Sequence, residues 1–219
     1  MKKFWKILLT LLVLVTALAL IFNEPIKVQL VKQVSNSRVT NLTKDQVRQN
    51  KLRDASFDFA KVKPITVKQA AKAALKNNAA AIGKITIPSV GLKLPIVKGV
   101  DDTALATGGG TLKPDEKMGE GNYALAGHYM TDKGALFSPI ARVQIGDLIY
   151  ITDLKNVYTY KVDLKQVISP RATWTMNNQP GTKMITLITC ADGGANRWLV
   201  QGSLVKARVA NRSTLAVFG

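Results

Sequence analysis

The sequence predicts an all-β domain, folded as a closed or nearly closed barrel, behind an N-terminal membrane helix and a basic linker. Three observations carry this prediction. An uncharged apolar run covers 7–22, residues 24–80 are polar and poor in aromatic residues, and short β-rich runs separated by turn signals fill 81–219. The chain has 219 residues, of which 47% are hydrophobic. It is therefore long enough for one ordinary domain with a buried core and appendages.

Residues 1–23 predict a cytoplasmic tip and a membrane anchor. As a helix, the apolar run would extend about 24 Å against a hydrocarbon core of roughly 30 Å, and the neighbouring Phe4 and Trp5 extend it into the interface. A cleaved signal peptide is the alternative, because Ala-Leu-Ala at 17–19 fits an A-x-A cleavage pattern. A retained anchor is favoured, because the apolar run continues to Phe22. Lysines precede it, so the N-terminus is expected in the cytoplasm.

Residues 24–80 predict a basic stalk that holds the next domain away from the membrane. The stretch 66–81 is rich in Ala and Lys, which favours a helix. The whole chain has a formal net charge of +17, and this surplus implies an anionic neighbour. The sequence shows no zinc-finger ligands, leucine zipper or aromatic RNA-binding signature, so membrane or cell wall is favoured over nucleic acid. A solvated linker without a specific partner is the alternative.

The β-rich runs of 81–219 form the predicted globular domain. The first run, 82–100, is interrupted by Pro88, Gly91 and Pro95. The other strand candidates are 122–128, 146–153, 156–168, 184–190 and 197–209. Short helices are expected in 101–108 and 138–143. Because the runs are short and no long amphipathic helix separates them, an antiparallel barrel is favoured.

The chain contains a single cysteine, Cys190, and a single histidine, His128. One cysteine excludes an internal disulfide, and these two residues are too few for a zinc site. Cys190 ends a strand-like run in front of the loop 191–196, and functional side chains collect at such strand ends. If the flanking strands pair as a hairpin, Arg197 comes close to the thiol, and a nearby guanidinium favours a thiolate. The alternative is a buried structural cysteine.

His128 ends another strand-like run, with the small residues Ala124 and Ala126 on the same face. A nucleophilic cysteine needs a base to take its proton and an acid to protonate the leaving amine. In this chain only His128 titrates in the right range for both tasks. Arg197 is the candidate to hold the oxyanion of a tetrahedral intermediate. The order His, Cys, Arg differs from papain-like enzymes, and together the three residues indicate acyl transfer.

The motifs around these residues resemble those of a known family. TLITC at 186–190, LAGH at 125–128 and Arg197 closely resemble the sortases, specifically the class A housekeeping sortases. The resemblance covers roughly residues 80–219. An N-terminal anchor without a C-terminal membrane segment also resembles class A more than the pilin-polymerising class.

This resemblance implies an eight-stranded sortase barrel and a membrane-anchored cysteine transpeptidase of a Gram-positive bacterium, with its catalytic domain outside the cell. Surface-protein precursors with an LPxTG-type sorting signal would be cut between Thr and Gly. Cys190 would form a thioacyl link to the Thr carbonyl, His128 would protonate the leaving amine and deprotonate the incoming one, and Arg197 would steady the oxyanion. The acceptor would be an amino group of a peptidoglycan precursor. Three further residues match positions of the substrate groove or oxyanion support: Ala126, Ile188 and Thr189.

Some class A sortases use calcium held by carboxylates from two loops. Here the loop 113–122 offers Asp115, Glu116 and Glu120, but the loop 169–183 contains no acidic residue. Because calcium takes six to eight oxygen ligands, usually including several carboxylates, we expect no cofactor and no calcium dependence. Two alternatives to a sortase are another cell-wall cysteine acyltransferase, such as an L,D-transpeptidase, and a non-catalytic wall-binding module. The compact cysteine motif of L,D-transpeptidases is absent from the sequence.

Overall fold

The computed structural model describes residues 2–59, 62, 65–75 and 80–219. The helices are α1 (Lys2–Asn41), α2 (Lys44–Lys51), α3 (Val67–Leu75), α4 (Asp102–Leu105) and α5 (Arg212–Leu215). The strands are β1 (Ala81–Ile87), β2 (Leu92–Val97), β3 (Gly109–Thr111), β4 (Asn122–Ala126), β5 (Leu148–Thr152), β6 (Asn156–Ile168), β7 (Met184–Ala191) and β8 (Asn196–Val209). Short 3₁₀ turns lie at Pro88–Val90, Ser138–Arg142, Thr173–Met176, Asp192–Gly194 and Ala216–Phe218.

The eight strands close a barrel in the order β1-β2-β3-β4-β7-β8-β6-β5. The predicted all-β barrel is therefore confirmed. The expectation that it is wholly antiparallel is wrong, because β2 pairs with β3, and β4 with β7, in parallel. Parallel neighbours need a crossover connection. α4 lies in the first crossover, and β5 and β6 lie in the second.

The barrel interior is the main hydrophobic core. Branched aliphatic side chains fill most of it, because they pack well on pleated strands. Tyr123, Phe137 and Tyr160 are its largest fully buried side chains. Both short helices expected in this domain are found, one as α4 and one as the 3₁₀ turn Ser138–Arg142. The carboxylate of Asp101 caps α4 by accepting hydrogen bonds from the first-turn amides.

The long helix α1 has an exposed half and a packed half. Its large apolar side chains from Phe4 to Phe22 are 44–69% exposed, whereas Val31 and Val39 are fully buried. Within the described residues, no single helix is long and apolar enough to cross a bilayer. Lys3–Leu18 and Ile21–Asn41, bent by 45° relative to each other, satisfy length and composition as a pair. The membrane anchor stays a prediction.

The described part of 24–80 packs against the barrel, where a stalk standing clear of it was expected. Val31 of α1 and Ala70 of α3 belong to the main core cluster. Ser35 is buried and donates its hydroxyl to Thr107 O at 2.5 Å. Apolar and small residues recur on one face of α1 at spacings of three and four, which is the spacing of a helix face seated on a core. The packed segment therefore adds to the barrel on its N-terminal side.

The helix predicted over 66–81 is shorter in the structure. It is seen as α3, positions 76–79 lie outside the described residues, and Ala81 already begins β1. Thr66 and Gln69 exchange hydrogen bonds at its N-terminus, with Gln69 N donating to Thr66 Oγ1 and Thr66 N to Gln69 Oε1. This capping box explains where the helix begins.

Candidate active site

Pairing of β4, β7 and β8 brings the three candidate catalytic residues to one cavity. β4 and β7 run in parallel with Ala126 opposite Ile188, so the chain leaving β4 places His128 beside the end of β7. β7 and β8 are antiparallel with Cys190 directly opposite Arg197, as the hairpin interpretation predicts. His128, Cys190 and Arg197 all line a cavity of about 1040 Å³. A cleft of this size accommodates a short extended peptide.

The candidate substrate-binding residues form part of the same cavity wall. Ala126, Ile188 and Thr189 all line it. Thr189 Oγ1 donates to Gly127 O at 2.8 Å, and Gly127 N donates to Ile188 O at 3.1 Å. These two hydrogen bonds continue the β4–β7 pairing beyond the end of β4. They fix the backbone immediately before His128.

Phe137 explains the glycine of the LAGH motif. A Cβ atom on Gly127 would lie 2.4 Å from Phe137 Cγ, and a Cβ atom on Gly109 would lie 2.7 Å from Phe137 Cζ. Phe137 is fully buried, and its amide donates to His128 O at 3.0 Å. The ring thus packs directly on the backbone beside His128. A larger residue at either glycine would displace the ring, since interiors are close-packed.

Burial determines the resting charge of His128. It lowers the pKa of the imidazole from 6.5 to about 4, and the negative charge of Asp102 acts in the opposite direction. The side chain is only partly exposed to solvent, at the wall of the cavity. His128 is therefore neutral at pH 7. A neutral imidazole can accept a proton, as a general base must.

Arg197 is held by the loop that connects β7 to β8. Its Nη1 donates to Gly194 O at 2.7 Å and to Asn196 O at 2.8 Å. Asp192 adopts φ 51° and Gly194 φ 101°, both in the left-handed region, and Asn196 Nδ2 donates to Asp192 Oδ2 at 2.7 Å. A guanidinium has five N–H donors. Three of these five N–H groups belong to Nε and Nη2, which take no part in the two bonds to the loop.

Residues of the N-terminal segment complete the cavity wall. Lys27 of α1 lines it, together with Phe59, Val62 and Ile65 of the segment between α2 and α3. Sequence reasoning assigned all four to the stalk and missed them. Phe59 and Ile65 are apolar residues in a polar stretch, and this was the available signal. Periodicity alone gives no indication of which surface such isolated residues cover.

The connection between β6 and β7 is tied to the barrel by uncharged acceptors and one cation. Lys113 Nζ donates to Met176 O and to Asn178 Oδ1, both at 3.0 Å. Lys113 Nζ also donates to Asn122 O at 2.6 Å, and Asn122 N donates to Asn178 Oδ1 at 3.0 Å. An ammonium group is a compact charge with three donors. It therefore links this connection to the loop before β4 without a metal ion.

The carboxylates of the loop before β4 are a poor set of calcium ligands. Glu116 accepts hydrogen bonds from Ala124 N at 2.9 Å and Leu112 N at 3.3 Å, and burial raises its pKa to about 8 in spite of these bonds. It is mostly protonated at pH 7, whereas calcium prefers carboxylates. Glu120 lies 3.9 Å from the ammonium of Lys117. Across the described residues, no three His, Cys, Asp or Glu side chains cluster as a metal site.

Comparisons with known proteins agree with this architecture. Residues 85–205 match the family model described as the sortase domain. The chain is 35% identical to sortase A of Streptococcus agalactiae over 222 aligned positions, covering 96% of this chain and 90% of that protein. It is 37% identical to sortase A of Listeria monocytogenes, covering 83% of this chain and 82% of the relative.

A solved structure gives the same result for the fold. The crystal structure of sortase A from Listeria monocytogenes superposes with a TM-score of 0.61 and 37% identity, covering 63% of this chain and 97% of that one. The superposition supports the eight-stranded barrel, and the sequence relationship supports the class predicted from the TLITC and LAGH motifs. The chain belongs to the sortase family, as a class A sortase, and is thus a cysteine transpeptidase of the sortase type.

Proposed function

We propose that this protein cleaves LPxTG-type sorting signals between Thr and Gly and transfers the surface protein to an amino group of a peptidoglycan precursor. The family supports transpeptidation in cell-wall sorting, and the specificity for this signal is the proposal. The observation that carries it is the placement of Cys190 opposite Arg197, with His128 on the same cavity. These groups supply a nucleophile, an oxyanion donor and a proton carrier.

In the first half of the reaction, Cys190 attacks the carbonyl carbon of the substrate threonine. Neutral His128 accepts the thiol proton as the C–S bond forms. The carbonyl oxygen becomes an oxyanion, and N–H donors of Arg197 stabilise it. The intermediate collapses with cleavage of the C–N bond, and imidazolium His128 gives its proton to the leaving glycine amine. The product is a thioester between Cys190 and the surface protein.

In the second half, an amine replaces the glycine. The nitrogen of the acceptor attacks the thioester carbonyl, His128 accepts its proton, and a second oxyanion forms beside Arg197. Cleavage of the C–S bond releases the new amide, and His128 returns the proton to the sulfur. Water in place of the amine gives simple hydrolysis. The lowered pKa of His128 suits both steps, because a buried imidazolium readily gives up its proton.

The cavity wall supports binding of an extended peptide. Ala126 leaves space because its side chain is small, and Ile188 offers an apolar surface. The Thr189 hydroxyl is already used on Gly127 O, so we assign it to support of the His128 backbone. Contact with the substrate is assigned to Ala126 and Ile188. The proposal includes no nucleic-acid partner, because both proposed substrates, a peptide and an amine, react in the cavity.

We propose no cofactor. The loop 169–183 has no acidic residue, and Glu116 is turned onto backbone amides. The ammonium of Lys113 joins the two loops that calcium would have to bridge. Chelation of calcium is therefore expected to leave the rate unchanged, and a large loss of activity would contradict this reading of the donor set.

The proposed location is the cell membrane, in a single pass with the N-terminus in the cytoplasm and the catalytic domain outside. The apolar side chains of the first half of α1 are exposed, as expected of a helix surrounded by lipid. Detection of a mature protein that begins after residue 19 would favour the signal-peptide alternative. Detection of the intact N-terminus in protein from the membrane fraction would support the retained anchor.

Turnover of a defined peptide tests the reaction. The full chain in detergent is incubated with a quenched LPETG peptide and an oligoglycine amine, and both cleavage and the amine-linked product are measured. We expect product with the unaltered chain and none with Cys190→Ala. Ser213→Ala is the matched control, since it also removes a single heteroatom but lies exposed on α5. No turnover, combined with no alkylation of Cys190 in the folded protein, would overturn the proposal.

A further inference from the structure

The packed half of α1 is seated on the loop that follows His128. Lys32 Nζ donates to Asp132 Oδ2 at 2.8 Å, and Thr131 Oγ1 approaches Glu24 Oε2 at 3.4 Å. Lys27, which is ion-paired with Glu24, has a side chain only 15% exposed. Two links to the same loop, one of them an ion pair, therefore set where α1 lies beside the active site.

Apolar burial keeps the helix in this place. Val31 is fully buried and belongs to the main core cluster, and Val34 is 8% exposed. A half-exposed ion pair such as that of Lys32 contributes little to stability, whereas burial of a valine side chain contributes more. The apolar contacts thus hold the helix, and the polar links set its register on the loop.

The two halves of α1 meet close to the catalytic cavity. The apolar run ends at Phe22, which is 50% exposed, and Lys27 already lines the cavity. Five helical residues extend about 7.5 Å. The headgroup layer on each side of a bilayer is about 5–7.5 Å thick. The rim of the cavity therefore lies near the outer edge of the headgroups if the apolar run spans the membrane, and a tilted helix brings it nearer.

The loop beside this rim has the chemistry of a membrane interface. Tyr129 is 38% exposed and Lys133 is exposed on the same loop. Tyrosine concentrates at headgroup level because one end of its ring is apolar and the other polar. A lysine side chain is attracted electrostatically to anionic headgroups. Beyond the three lysines that precede the apolar run, the chain still has more basic than acidic residues.

We propose that the docked half of α1 places the catalytic cavity at the surface of the bilayer, with the loop 129–134 against the lipid headgroups. This inference rests on the anchor of the proposed function. The N-terminal segment is then a rigid spacer of fixed height, and substrates that are themselves tethered to the membrane meet Cys190 without leaving the bilayer surface. Tethering raises their effective concentration at the cavity.

The single cysteine allows a direct measurement of this height. Cys190 is labelled with a thiol-reactive donor dye in the full chain, which is reconstituted in vesicles of phosphatidylglycerol and phosphatidylcholine with acceptor dyes on the headgroups. A sphere of 1040 Å³ is about 13 Å across, so Cys190 is expected within about 20 Å of the hydrocarbon boundary. Energy transfer that places the dye more than about 40 Å from the acceptor plane would overturn the proposal.

A helical insertion tests the spacer itself. Seven helix-forming residues inserted after Asn23 add two turns, or about 10.5 Å, while turning the docked half by only about 20°. The same insertion after Lys3 is the matched control, because it lengthens the helix on the cytoplasmic side of the apolar run. We expect the first insertion, and not the control, to increase the Cys190–lipid distance by about 10 Å. An unchanged distance would show that α1 does not set the height.

Measurement of enzyme activity tests whether the height of the cavity matters for function. Turnover is measured with a soluble LPETG peptide and with the same peptide attached to vesicle lipid. The insertion after Asn23 should lower turnover of the tethered peptide by about tenfold and leave that of the soluble peptide within about twofold. If the insertion after Asn23 leaves turnover of the tethered peptide unchanged, the height of the cavity above the bilayer has no role in activity. Failure of the proposed function would appear differently, as no turnover of either peptide by the unaltered chain, with the distance result intact.

Discussion

Acidification is expected to destabilise this protein through His128. Burial lowers the pKa of its imidazole from 6.5 to about 4, so the unfolded chain binds this proton more readily than the folded one. The free energy of unfolding therefore falls as the pH drops below 6.5. From the two pKa values, the contribution of His128 is near zero at pH 7.5, a loss of about 2 kcal/mol at pH 5 and a loss of about 3 kcal/mol at pH 4.

The sequence makes this shift easy to measure. His128 is the only histidine, so the imidazole C–H resonances in a carbon–proton NMR spectrum belong to it alone. We expect their titration midpoint near pH 4, because burial lowers the pKa of the imidazole to about 4. In parallel, urea unfolding of the unaltered chain and of His128→Gln is followed from pH 7.5 to pH 4.5. As the pH falls, the free energy of unfolding should decrease more in the unaltered chain than in the variant.

Two results would refute this reasoning. A midpoint near 6.5 in the folded protein would show that the side chain is solvated, and the imidazole would then be substantially protonated at pH 6. A stability difference between the two chains that does not change with pH would show that His128 is not the group whose protonation is linked to folding. The midpoint also bears on the proposed mechanism, in which a neutral His128 accepts the thiol proton.

Three further outcomes follow from the packing around the cavity. Gly127→Ala should lower the free energy of unfolding by about 1–3 kcal/mol, because its Cβ would lie 2.4 Å from Phe137 Cγ; an unchanged urea midpoint would contradict this. Arg197→Lys should lower kcat/KM for the LPETG peptide at least about 100-fold with little change in melting temperature, because an ammonium cannot reproduce the planar fork. Lys113→Met should increase amide hydrogen exchange in 169–183; unaltered exchange would show that the loop is held by other contacts.

The strands of the barrel were largely predictable because their signal is local. The run 156–168 was predicted as a strand and is β6, and 184–190 lies within β7. Parallel pairing of β4 with β7 was not predictable in the same way. The alternation of side chains indicates which face of a strand is buried. It does not indicate which strand lies next to it, or whether the two strands are parallel.

The candidate site was predictable for a related reason. Cys190 and Arg197 flank a short loop, so their pairing across a hairpin is a local property. Lys27 and Phe59 lie far from the cysteine in sequence, and only tertiary packing brings them to the cavity. The face of α1 that includes Val31 lies in the stretch that was predicted to be a stalk, because this stretch is mostly polar and basic. The burial of that face depends on α3 and β2, which lie elsewhere in the chain.

The parallel pairing of β4 and β7 also bears on when this enzyme becomes reactive. In sequence, β5 and β6 separate β4, which precedes His128, from β7, which carries Cys190. Contacts between distant segments form late, because the entropy of closing a long loop opposes them until other contacts are made. In the unfolded chain the thiol is therefore apart from the imidazole, and we expect the proposed chemistry at Cys190 to begin only when β7 joins β4. We therefore expect the folding of the barrel to be the step that brings the two groups together.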